Sequence, residues 1–92
     1  AAKAGIESLV STLAPELAPE LRIHAVAPGI MNLKPGARRD AEQRWSRTVP
    51  AGRLGTPKMI ARTVRFLLTE PYCTGTVIHM DGGLHTHYTP LP

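Results

Sequence analysis

The sequence is short of several things, and each shortage excludes a class. A single cysteine, Cys73, cannot make a disulfide framework or a thiolate zinc site, and it fits a reducing, cytoplasmic compartment. One Trp, one Phe and two Tyr leave little stacking surface, so the chain is not expected to bind nucleic acid through base stacking. No apolar run approaches the roughly 18 residues of a membrane span. No basic–apolar–small leader opens the chain, which begins Ala1-Ala2-Lys3 in helical idiom and reads as a piece of a longer protein. Disorder is excluded by the opposite argument, because 42% hydrophobic residues against 20% charged is enough apolar surface to bury.

What is present is 92 residues, about one small domain, with a formal charge of +4. The charge is uneven. Between Lys34 and Arg65 lie nine basic residues (Lys34, Arg38, Arg39, Arg44, Arg47, Arg53, Lys58, Arg62 and Arg65) against Asp40 and Glu42, and the rest of the chain is net acidic. Such a stretch can draw in an anionic ligand, although most of its arginines read as a solvated face.

Periodicity gives the elements. Ile6, Leu9, Val10, Leu13, Ala14 and Leu17 recur at helical spacing, with Pro15 and Pro19 closing the helix of residues 1–18. Residues 22–27 are short, β-prone and nearly all apolar, as in a strand covered on both faces, and Pro28-Gly29 ends it. A polar connection follows, with a short helix predicted at about 38–47. Thr56 caps a helix with Pro57 at its first position and a stripe of Ile60, Val64, Leu67 and Leu68. Residues 76–80 form a second buried strand, closed by the turn signal Asp81-Gly82-Gly83. Residues 84–92 have no periodicity and read as a surface arm. A strand–helix–strand unit of this kind is a right-handed crossover in a parallel sheet. Two strands and two helices leave an apolar edge bare, so the fold is expected to be α/β and incomplete on its own.

Five stretches in register resemble one family. They are Ala2-Lys3-Ala4-Gly5, Leu13 to Pro19, Arg22 to Gly29, Gly52 to Pro57 and Thr74 to Gly83. Together they are similar to the C-terminal half of a short-chain dehydrogenase/reductase over about residues 1–84. The resemblance implies the C-terminal part of a doubly wound, Rossmann-type parallel-sheet domain, residues 1–92 belonging to one NAD(P)-binding domain. It implies catalysis at Lys3, which matches the lysine that lowers the pKa of an active-site tyrosine and holds the nicotinamide ribose. That tyrosine would stand two residues before Ala1. Tyr72 and Tyr88 are wrongly placed to replace it. Lys3 read alone is an ordinary helix lysine.

Pro28, Gly29, Ile30 and Met31 resemble the turn beside the nicotinamide at the carboxyl end of a strand, where doubly wound sheets bind ligands. Residues 31–53 resemble the substrate lid. Leu33 stands where the family commonly has a threonine, which is more like the pteridine reductase and dihydromonapterin reductase branch. Trp45 either lines a pocket for a planar substrate or anchors the lid helix. The implied function is hydride transfer from NADP (or NAD) to a pterin- or folate-type C=N bond or a carbonyl. The implied partners are the missing N-terminal half of the domain, a small-molecule substrate and further copies in a homo-tetramer or homo-dimer. The alternative is a non-catalytic remnant that keeps the family's oligomerisation surfaces.

Three further features are assigned no chemistry. His85-Thr86-His87 has no cysteine or carboxylate near it in sequence, so no metal is expected. His24 and His79 lie within strands and are expected to be satisfied core or interface histidines. Cys73 has no activating base beside it.

Overall fold

The computed structural model describes residues 2–86, with side chains from Ala4 onward. Its elements run α1 (Ala2–Leu17), β1 (His24–Pro28), α2 (Arg39–Ser46), α3 (Pro57–Thr69) and β2 (Thr76–Met80), then a single 3-10 turn at Leu84–Thr86.

The two strands pair in parallel, with His24 opposite Thr76, Val26 opposite Ile78 and Pro28 opposite Met80. Backbone bonds extend the ladder beyond both ends, from Gly75 N to Ile23 O at 2.8 Å and from Gly29 N to Met80 O at 3.1 Å. The strand expected at 22–27 thus starts two residues later and takes in Pro28, whose missing N–H costs nothing at the last position of a strand. The α3 boundaries agree with the sequence reading. Thr56 Oγ1 accepts the Met59 N–H at 3.4 Å, and Pro57 occupies the first turn, where its missing donor is not needed.

Each helix buries only part of its apolar stripe. Val10 and Ala14 of α1 are buried in the helix that meets both strands, and Leu67 of α3 is buried in the helix that meets β1. Ile6 and Leu9, on the same predicted stripe as Val10, are more than half exposed, and Leu68 is 71% exposed. The molecule is correspondingly flat. It measures 47 × 27 × 17 Å with a radius of gyration of 15.4 Å, against about 12 Å for a compact domain of this length.

One side chain ties α3 to the start of β1. The Arg22 guanidinium donates through Nη1 to the carbonyls of Leu67 (2.6 Å), Glu70 (2.9 Å) and Cys73 (3.3 Å), and through Nη2 to Leu68 (2.9 Å). These include carbonyls at the end of α3 that have no acceptor role left within the helix, so a cation there satisfies both their hydrogen bonds and the helix dipole.

The tail differs from the expected arm. Residues 84–86 fold back as a 3-10 turn, Leu84 N bonding to Asp81 O and Thr86 N to Gly83 O. The rest of the tail, including His87 and Tyr88, lies outside the described residues.

Candidate functional site at the carboxyl ends of the strands

Both strands end at the same edge, and the turns that follow them pack together. Gly29 follows β1 and Asp81 follows β2. A Cβ on Gly29 would lie 2.4 Å from the Asp81 Cβ and 2.7 Å from its Cα, so only glycine fits. The family resemblance places this glycine in the turn beside the nicotinamide. The structure gives a nearer reason: the second strand's exit occupies the space.

Beyond Gly29 the chain joins the segment ahead of α3. Gly55 N donates to Ile30 O at 3.0 Å and Asn32 N to Gly55 O at 2.8 Å, a single parallel bridge between Met31 and Gly55. The carbonyl of Ile30 is therefore used. Among the described residues, the N–H groups of Ile30 and Met31 have no backbone acceptor, so the turn presents two free donors at the strand ends. A cavity of about 180 Å³ opens here, lined by Ile30, Leu54, Met59, Met80 and Asp81, with Arg53 at its side. The far end of the 31–53 connection is pinned to the same edge. Val49 is buried, Ala51 N donates to Gly82 O at 2.9 Å, and Gly82 has a φ of 64° with Val49 close against it. That backbone angle and that contact both demand glycine.

Asp81 is the buried charge of this edge. Its carboxylate accepts the Gly83 N–H (3.1 Å), the His85 N–H (3.0 Å) and the His85 ring at Nδ1 (2.9 Å). Burial pushes its pKa up, but the hydrogen bonds from the His85 ring, from His85 N and from Gly83 N, with the charge of His85, outweigh it and leave it below its ordinary value. This corrects one expectation. His85 does have a carboxylate partner, four residues back across a tight turn. Its ring also stacks on His79, centroids 4.1 Å apart and planes 13° from parallel.

His79, Asp81 and His85 place one ligand-type atom each within 4.8 Å of one another. Parallel stacked rings hold their lone pairs in separate parallel planes, and Asp81 is already occupied by three N–H donors. The cluster is built as a hydrogen-bonded brace for the final turn. His79 Nε2 also stands 3.5 Å from Glu7 Oε1 on α1. The His79 Nδ1 and both ring nitrogens of His24 are buried without a partner among the described residues.

The remaining residues singled out by sequence lie outside the lining of this cavity. Lys3 lies in the first turn of α1, and its side chain is outside the described set. Leu33 is 72% exposed and Trp45 43% exposed. Leu33 sits in the loop before α2 and Trp45 on α2 itself, and neither lines the strand-end cavity. Sequence reasoning missed Asp81 as a site-forming residue. The signal for Asp81 was present in Asp81-Gly82-Gly83, which was read only as a turn.

No helix among the described residues is long and apolar enough to cross a membrane. The α/β core with a parallel strand pair matches known proteins over nearly its whole length. The family profile described as enoyl-(acyl carrier protein) reductase matches residues 1–85. Carbonyl reductase family member 4 of Danio rerio is 42% identical over 85 residues, covering 91% of this chain and 35% of that protein. A short-chain dehydrogenase of Bacillus anthracis superposes with a TM-score of 0.76 at 40% identity, covering 97% of this chain and 37% of its own. FolM alternative dihydrofolate reductase 1 of Brucella suis, solved in complex with NADP, gives 0.78 at 31% identity, covering 96% and 36%. The chain thus spans little more than a third of the length of these proteins, and within that span it belongs to the short-chain dehydrogenase/reductase family.

Proposed function

We propose that this chain is the C-terminal part of an NADP(H)-dependent short-chain reductase that adds hydride to a pterin- or folate-type C=N bond or to a carbonyl. The observation that carries the reading is the strand-end turn, where Pro28–Met31 presents two free backbone donors beside a cavity. A nicotinamide carboxamide needs such donors, and doubly wound sheets place ligands at this edge. The Brucella suis structure, with NADP bound, supports the choice of cofactor.

The cofactor would supply the hydride. The chain's own residues would position and polarise. Ile30 and Met31 N–H groups would hold the carboxamide, and Pro28 and Gly29 would set the turn. Lys3 would hold the ribose and lower the pKa of a tyrosine supplied by the companion half. Arg53 borders the strand-end cavity and would favour an anionic ligand. Leu33 and Trp45 would offer apolar and stacking surface to a planar substrate from the lid.

The test is Lys3→Ala in the protein joined to its N-terminal half. It should lower kcat and move the alkaline limb of the pH–rate profile upward, because the tyrosine loses the charge that lowers its pKa. It should also weaken NADP binding by about 1–3 kcal/mol, as for a hydrogen bond to a charged group. If kcat and cofactor affinity both hold within about twofold, a margin near 0.4 kcal/mol, the catalytic assignment is wrong. Dihydropterins and aliphatic ketones assayed side by side then decide the substrate class.

The exposed apolar outer positions, Ile6 and Leu9 on α1 and Phe66 and Leu68 on α3, favour a second reading as an oligomerisation scaffold without chemistry. Co-purification with a segment bearing a glycine-rich loop and a tyrosine separates the two, since a scaffold needs neither.

A further inference from the structure

Between the Met31–Gly55 bridge and the start of α2, residues 32–38 belong to no helix or strand. The bridge holds the loop where it leaves Met31. Its far side is held by one side chain. Glu42, one turn into α2, accepts the Gly36 N–H on Oε1 at 2.7 Å. The Asn32 side chain lines the same cavity as Glu42, and Asn32 and Gly36 bracket Leu33. The Asn32 side chain first, then the Gly36 N–H, the Arg38 backbone and the charge of Arg39 hold the Glu42 carboxyl below its ordinary value. The Glu42 main chain is tied as well, its carbonyl accepting Ser46 Oγ at 2.6 Å.

Glu42 is half-buried, and a glutamate at a helix surface is ordinarily solvated or paired with a basic side chain. Seven basic residues lie between Lys34 and Lys58, yet the ion pairs found among the described residues are His79–Glu7 and His85–Asp81. Glu42 instead spends its carboxylate on a backbone amide of the loop before its own helix. A cavity of about 230 Å³ opens beside it, lined by Asn32, Glu42, Arg53 and Leu54. Arg53 and Leu54 also line the strand-end cavity, so the latched loop borders the candidate site.

We propose that Glu42 is a positioning residue: its carboxylate ties Gly36 of the 32–36 loop to α2 and so fixes where Leu33 stands, on the loop that the reductase reading places over the substrate. The latch itself rests on geometry alone. Its use rests on the reductase reading.

Two readouts on the full-length protein separate these. Glu42→Ala should speed amide hydrogen exchange at Gly36, while exchange in β1 stays unchanged. It should raise the substrate KM about tenfold with kcat and the cofactor KM within about twofold, since the reacting groups are not touched. Glu42→Gln keeps an oxygen acceptor for Gly36 and should restore most of the exchange protection and KM. Unchanged Gly36 exchange in Glu42→Ala overturns the latch. Faster exchange with an unchanged substrate KM overturns the positioning role, as does an equal loss of kcat and thermal stability in both variants. Wild-type protein with no NADPH-linked reduction of pterins or ketones overturns the reductase reading, and Gly36 exchange still reports on the latch.

Discussion

Asp81 shows how one side chain can organise the end of a sheet. It is buried, it receives three N–H donors within four residues, and its backbone fills the space that Gly29 leaves open. Its folded pKa is depressed, so the stability it contributes is fully present above the ordinary value of 3.8 and is lost as pH falls through the lower folded value. Asp81→Asn in the full-length protein is expected to cost about 1–3 kcal/mol at neutral pH, because an amide cannot accept all three donors. Chemical denaturation over a pH series checks this. The gap between wild type and variant should stay constant above pH 3.8 and narrow below it. A gap that widens on acidification would contradict the assignment.

At the scale of elements, Arg22 decides how α3 sits on β1. A guanidinium has five donors in a fixed fork and reaches four carbonyls here, whereas an ammonium is a compact charge with three rotating donors. Arg22→Ala should destabilise the full-length protein by about 2–3 kcal/mol, the loss of charged hydrogen bonds to buried-end carbonyls. Arg22→Lys should recover less than half of that. Urea midpoints of the three proteins give the comparison, and a lysine variant equal to wild type would show that charge alone suffices. The α1 stripe teaches the complementary point. Its spacing marks a helix, but only Val10 and Ala14 of that stripe are buried here, and Ile6 is 53% exposed.

For the whole molecule, flatness is the governing fact. Two paired strands leave outer edges unsatisfied, and apolar positions on α1 and α3 face outward. The isolated 92-residue chain is therefore expected to be poorly soluble or to lack fixed tertiary packing, with strong binding of a hydrophobic dye and no cooperative thermal transition. Joining it to its N-terminal half should abolish the dye binding. A sharp melt from the isolated monomer would overturn this.

The sequence by itself determined the order of elements, the parallel α/β class, the Thr56 cap and the α3 and β2 boundaries, because periodicity, proline and cap chemistry act within a few residues of one another. It also determined the family, through five short motifs in register. Tertiary structure alone decided the rest. Arg22 finds the end of α3 only once strands and helix come together, whereas His85 finds Asp81 and Glu42 finds Gly36 across short turns whose geometry the sequence pattern does not show. The unpartnered nitrogens of His24 and His79 follow from the same cause. A strand pattern shows that a position is covered, and the neighbours that would satisfy its polar atoms depend on packing across the sheet. At Gly29 the fold adds a reason that sequence does not show: Asp81 packs where a Cβ would stand.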